Sequence, residues 1–377
     1  MQFRSSLLHP NTPSPLDGQV TYIPEDPGSE QSSRSPITDG MSLAFHIVFA
    51  AIGMALPLMM VIAEWRWRVT KEEAYLLLAQ RWAKGAAILA AVGAVSGTVL
   101  SFELGLLWPQ FMRSAGAIIG MPFSLEGFAF FLEAIFLGIY LYGWNKIPSW
   151  FHFLSGAIVA ISGLLSAMFV TFVNGWMNTP TGFVLSGGKF ANIRPFAAMS
   201  NPAGGPEAVH MILAAYTAVG FATAGIHGSL YLRRGKNRFD EVAIGIALAV
   251  GGSAVLLQGL SGDALARMVA ATQPAKLASL EGQFTTEDGA PLRIGGLPYP
   301  KEPVTKYALE IPDGLSLLAF HNAHAVVKGL DQVPRQIGLP HGLCISVSKR
   351  WSVVEVFFPS IHWSRFGYIG IFRVPLV

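Results

Sequence analysis

The sequence predicts an all-α membrane protein: a polytopic bundle of about six transmembrane helices with a long polar loop on its outer side. Three observations carry that prediction. First, of 377 residues 52% are hydrophobic and only 13% charged, with a mean hydropathy of +0.46. Average soluble domains carry about 25% charged residues, so this chain lacks the polar surface to face water on all sides. Second, six apolar segments reach the about 20 residues that cross a bilayer as helix. They are continuous rather than alternating, which favours helices over barrel strands. Third, Lys and Arg concentrate in every second connection, as they do when alternate loops face the cytoplasm.

Residues 1–37 are polar and rich in Pro and Ser. They have no charged n-region leading into an apolar h-region, so they do not form a signal peptide and read as a disordered extension. The bundle spans 38–260, with apolar segments at about 41–65, 83–107, 122–145, 150–175, 207–232 and 241–260. Arg66, Arg68, Lys71, Arg81 and Lys84 mark the first connection, Lys146 the third, and Arg233, Arg234, Lys236 and Arg238 the fifth. The second and fourth are poorer, with Arg113, Lys189 and Arg194. The N-terminus and everything after 260 therefore face the outer side. Residues 261–335 form a Pro-rich loop, long enough to be functional or disordered. The tail, 336–377, has no uninterrupted span, because Pro340, Pro359, Pro375 and scattered basic residues break each apolar run. It reads as a truncated or frame-shifted end.

A net charge of +3 gives no reason to expect nucleic acid, and a single Cys344 excludes internal disulfides, cysteine zinc sites and cysteine-held iron–sulfur clusters. Walker, Rossmann, HExxH and CxxC motifs are missing. Any metal must rely on His, Met or carboxylate.

Ionisable residues inside spans are costly and point to function. His46, near the start of the first span, and His210, near the start of the fifth, both fall toward the outer leaflet. Neutral imidazole is a common axial haem ligand; a histidine hydrogen-bonded across helices is the competing reading. His227 lies 17 residues beyond His210, about 25 Å along the helix, and cannot serve the same cofactor. It reads as structural or interfacial, like His152; His321 and His324 are solvent-side. Glu126 and Glu133, two turns apart, share a helix face, and Glu103 sits near the outer end of the second span. These acids make either a proton relay or a cavity-facing structural set. Glu64 reads as interfacial, Trp176 as part of an aromatic belt, Met177 as packing, and Gly251-Gly252 as close helix packing.

Several segments occur in an order that resembles subunit I of the cytochrome bd-type quinol oxidases, of a short, cyanide-insensitive-like bacterial subtype. They are Ser42-Leu43-Ala44-Phe45-His46, Gly97 to Gly105 with Trp108, Leu125 to Glu133, Gly143-Trp144, Asn174-Gly175-Trp176-Met177, His210, Ser261-Gly262-Asp263, and Gln273-Pro274-Ala275-Lys276-Leu277 with Glu281. The resemblance covers about 41–335. It implies a subunit of a terminal respiratory oxidase of the bacterial cytoplasmic membrane that couples quinol oxidation to reduction of oxygen to water. His46 would bind a haem of the oxygen site, and His210 the low-spin haem b. Glu103, Glu126 and Glu133 would hold or deliver protons, while Lys276 and Glu281 act on quinol in a periplasmic loop. The implied cofactors are two haems b and a haem d or third haem b; the implied partner is the smaller subunit II. The paired glutamates stand one residue closer than in the family pattern. The family's later helices, with a methionine ligand, an Arg-Gln-Pro-Trp motif and another haem-site glutamate, have no counterpart in 336–377. A haem-free transporter or ion path, and an inactive oxidase remnant, are the alternatives.

Overall fold

The computed structural model describes residues 35–186, 189–299 and 302–332; the extension over 1–34 and the tail from 333 onward, including the truncation reading, lie outside them. Six long helices carry the fold: α1 (Ser35–Thr70), α2 (Glu73–Leu107), α3 (Pro109–Tyr142), α4 (Ser149–Asn178), α6 (Gly204–Arg234) and α7 (Arg238–Thr272). All six are long and apolar enough to cross a membrane. Pro57 and Pro122 sit inside α1 and α3, as membrane helices tolerate where neighbours re-satisfy the backbone.

The helices exceed the predicted segments at nearly every end, because apolarity marks only the part in hydrocarbon while the backbone bonds continue into the headgroup region. The sixth helix does not stop at 260 but runs to Thr272. The segment beyond it, predicted as a polar loop, is folded over much of its length. It contains α8 (Pro274–Glu281), an antiparallel hairpin of β4 (Leu292–Tyr299) and β5 (Val304–Ile311), α9 (Gly314–Phe320), and a short pair, β3 (Glu287–Asp288) with β6 (Val326–Val327). Val269, Ala270, Leu277, Ala290, Leu315, Ala319 and Val327 form its own small core. Asp331 accepts from the Thr286 hydroxyl at 2.7 Å and amide at 3.1 Å, bonds that hold its carboxyl below the usual aspartate range. Between α4 and α6 lie the hairpin of β1 (Val184–Ser186) and β2 (Lys189–Ala191) and the short α5 (Pro195–Met199).

The tightest packing gathers toward the predicted cytoplasmic end. Met59, Met60, Leu78, Trp82, Tyr140, Val159, Val219, Val242 and Ile246 are buried in one cluster. The buried residues of α2 all lie between Tyr75 and Ala86, whereas Ile88, Val95, Phe102 and Leu106 further along it are exposed. The chain thus packs one end of the bundle tightly and leaves apolar surface toward the other for lipid or other groups. Gly251 bears out close packing: a Cβ on its partner Gly220 would sit 2.7 Å from the Gly251 Cα. Gly252 faces open space instead. At the tightly packed end Arg238 clamps Glu72 through Nε at 2.6 Å, holding that carboxyl below its ordinary range.

Two sequence readings are corrected here. Glu64 is not interfacial but fully buried. Its Oε1 accepts from Arg68 at 2.6 Å and lies 3.1 Å from His152 Nδ1, with the other His152 nitrogen 2.9 Å from the Tyr140 carbonyl. Arg68, one turn on, neutralises a carboxylate that would otherwise be too costly to bury. Trp176 is likewise no belt residue. It is buried against Phe183 and Phe190 and donates to the Thr181 carbonyl at 3.0 Å, because the β1–β2 hairpin folds back over the end of α4. His227 and His152 are structural as read: His227 Nδ1 meets buried Asp240 at 2.7 Å, and Trp82 donates to its Nε2 at 3.4 Å.

Candidate functional site

His46 rests on α2. A Cβ at Gly97 would lie 3.1 Å from its ring, so glycine there admits the imidazole. Its Nδ1 is 2.9 Å from Ser96 Oγ, and that hydroxyl donates to the Val92 carbonyl at 3.0 Å. With its only proton committed, Ser96 must accept, so Nδ1 carries the imidazole hydrogen and Nε2 the lone pair. One turn earlier, Ser42 donates to Glu103 Oε1 at 2.8 Å, while Glu103 Oε2 is buried without a partner among the described residues. Ser42 and Ser96 also line an apolar cleft of about 690 Å³ with Met41, Phe45, Val95 and Val99, within the range of cofactor pockets.

His210 repeats the arrangement between α6 and α7. Its Nδ1 is 3.0 Å from Ser261 Oγ, which donates to the Gln258 carbonyl at 3.0 Å. The lone pair therefore again sits on Nε2, and the Gln258 amide nitrogen lies 3.0 Å from it. Gly262 packs against this ring too, its Cβ position 3.5 Å away. Ser96 lies eleven residues before the end of α2 and Ser261 eleven before that of α7, so both imidazoles meet their partner helix in its C-terminal half.

The paired acids lie on the seam between α3 and α4. Ser166 donates to Glu126 at 3.2 Å, and the Glu133 carboxylate fills the space left by Gly163, 3.3 Å from where a Cβ would stand. Both face α4, whereas Glu103 accepts from Ser42, a residue that lines the cleft beside His46. Lys276 and Glu281 share α8, with Glu281 its last residue before Gly282 turns left-handed at φ +63°. The lysine does not reach toward Glu281; its Nζ lies 3.5 Å from Glu207. His321, read as unassigned, pairs with Asp263 at 2.8 Å.

Sequence reasoning missed Ser96, Ser261, Gln258 and Glu207. The serines and the glutamine meet their histidines across helices, and no spacing along one helix reports that. Glu207 had a visible signal: it precedes His210 by three residues and so lies on the same helix face.

Haem can be held by this donor set. Each imidazole is a neutral nitrogen donor with its tautomer fixed by a serine, glycine opens the helix beside each ring, and the cleft at His46 is apolar.

The comparisons with known proteins agree with one another. The model of the cytochrome bd terminal oxidase subunit I family matches residues 35–368. The putative cytochrome bd menaquinol oxidase subunit I of Bacillus subtilis is 38% identical over 300 residues, which is 78% of this chain and 68% of that protein. Cytochrome bd ubiquinol oxidase subunit 1 of the same organism is 31% identical over 76% of this chain and 62% of its own length. Cytochrome bd-II ubiquinol oxidase subunit 1 of Escherichia coli is 31% identical over 77% of this chain and 57% of its own length. The chain thus spans between about half and two thirds of these relatives' length. Among solved structures, bd oxidase from Geobacillus thermodenitrificans superimposes with a TM-score of 0.79 at 38% identity, covering 87% of this chain and 77% of that one.

Proposed function

The chain belongs to the cytochrome bd terminal oxidase subunit I family, and from that premise we propose that it is the haem-bearing subunit of a quinol:oxygen oxidoreductase. The family is one of membrane-embedded, haem-containing respiratory oxidase subunits that work in a complex with other subunits. The observation that supports this role most is the pair of imidazoles that each have one ring nitrogen tied to a serine of a neighbouring helix.

When bound, the haems supply electron transfer and oxygen reduction. The protein ligates, orients and moves protons. His46 holds a haem of the oxygen site and His210 the low-spin haem b; the full set is two haems b with a haem d or a third haem b. Ser96 and Ser261 keep the lone pair on the ligating nitrogen. Glu103, anchored by Ser42 at the His46 cleft, holds a proton beside the oxygen site. Glu133 and Glu126 pass protons along the α3–α4 seam. Lys276 orients the quinol headgroup and Glu281 accepts a proton from it. The N-terminus and the folded segment after α7 face the periplasm, and the smaller subunit II covers part of the apolar surface.

Oxygen uptake by the purified complex, driven by a short-chain quinol analogue, tests the reading. Uptake accompanied by reduction of haem bands is expected. A preparation that shows neither haem absorption nor uptake would return the chain to the transporter class.

A further inference from the structure

Three segments that the sequence singles out meet at a residue it did not. Glu207 stands in the first turn of α6, three residues before His210. Lys276 of α8 approaches its Oε1 at 3.5 Å. Asn178 Nδ2, at the end of α4, approaches the same oxygen at 3.5 Å and is itself bonded to the Asn174 carbonyl at 3.0 Å. The Asn-Gly-Trp-Met-Asn segment, the His210 helix and the Gln-Pro-Ala-Lys-Leu segment are thereby joined through one carboxylate. The Gly175 position explains how α4 comes so close: a Cβ there would lie 2.5 Å from the Gly204 nitrogen.

Only one oxygen of Glu207 is used. Oε2 is buried with no partner among the described residues, and the side chain is 12% exposed against 36% for Lys276. A carboxylate that served only to balance the α6 dipole would gain from facing water; an unpaired buried acceptor costs free energy unless something donates to it. In the same motif, one turn before Lys276, the Gln273 amide nitrogen is also buried without a partner. The buried acceptor on Glu207, beside the half-open Lys276 ammonium, suits a ligand that donates a hydroxyl.

We propose that Glu207 is a catalytic residue of quinol oxidation, the first acceptor of the substrate proton. This rests on the oxidase reading above and adds a base to it beside Glu281. In each of two turns, one quinol O–H bond breaks, its proton binds Glu207 Oε2 to give the acid, and one electron goes to the complex's acceptor, the haem that His210 would hold. The acid then releases its proton to the outer side past Lys276 before the second turn. The balance is quinol to quinone, two protons and two electrons.

The test uses the assembled oxidase with E207Q, E207D and E207K/K276E. E207Q should slow quinol-driven haem reduction on the order of 100-fold, the lower range for loss of a general base, acting on kcat more than on KM. A chemical reductant should still yield the native reduced spectrum. E207D should recover most of the rate, and the charge-swapped double variant should recover stability but not turnover. A hydrophobic carbodiimide should label Glu207 in the native complex, and a bound quinone analogue should block the labelling. E207Q within twofold of native, loss of the haem bands themselves in E207Q, or labelling indifferent to the quinone analogue would each overturn the proposal. A native complex whose haems accept electrons from a chemical reductant but never from quinol would sink the oxidase reading instead.

Discussion

Removing Glu64 tests whether the inner end of the bundle is held by charge or by shape. The carboxylate is 1% exposed in its side chain, its histidine partner 5% and its arginine partner 24%. Truncation to alanine strands a buried imidazole and a partly buried guanidinium together. Breaking a buried pair from one side costs about 3–5 kcal/mol. Arg68 retains part of its exposure and its bond to the Ser149 carbonyl, so the lower end, about 3 kcal/mol, applies. E64Q keeps volume and one acceptor and should cost about half of that. The assay is denaturant or thermal unfolding in detergent of E64A and of the cycle formed by E64L, H152F and the double variant E64L/H152F. Replacing both partners by apolar groups of similar shape approaches neutrality, so the double variant should cost less than the sum of the singles by more than 1 kcal/mol. An E64A protein within 0.5 kcal/mol of native, or strictly additive singles, would refute this reasoning.

G220L should part α6 from α7, since its Cβ alone meets the Gly251 backbone at 2.7 Å. Overpacking of this kind costs about 1–3 kcal/mol, and the same change at Gly252 should cost far less; a stability comparison of the two variants decides it. G97L should push the His46 imidazole off α2 and weaken its metal ligation while leaving His210 unaffected, read as loss of one haem signal only. The Asp331 link to Thr286 has a pH signature. Its carboxyl is held below the usual value, so the link is complete above the unfolded value, about 3.9, and is lost as pH falls through the lower folded value. Hydrogen exchange at the Thr286 and Gly329 amides, corrected for intrinsic rate, should lose protection only in that acidic window, and D331N should lose it at neutral pH.

The sequence made the bundle legible because hydrocarbon imposes a coarse rule: each span must be long and apolar, and alternate turns must be basic. His46, His210 and the Glu126–Glu133 face were visible for the same reason, as costly groups in a costly place. What stayed hidden depends on neighbours across helices. Glu64 looked interfacial because Arg68 and the membrane edge follow it, and only the packing of α1 on α4, with His152, buries it. Trp176 looked like a belt residue until the β1–β2 hairpin covered it. The folded segment after α7 was read as loop because its strands are short, its glycines and prolines frequent, and its core assembled from residues as far apart as Val269 and Val327. Glu207 drew no reading from the sequence, and its meaning came from Lys276 and Asn178 arriving from two other elements.

The central claim is that two imidazoles, His46 and His210, each hold an iron porphyrin. Reduced-minus-oxidised absorption spectra of the purified complex, with H46A and H210A beside the native chain, test it most directly. H210A should lose a low-spin b signal and keep the high-spin one; H46A should perturb the high-spin signal and keep the low-spin one. Native spectra from both variants would contradict the account.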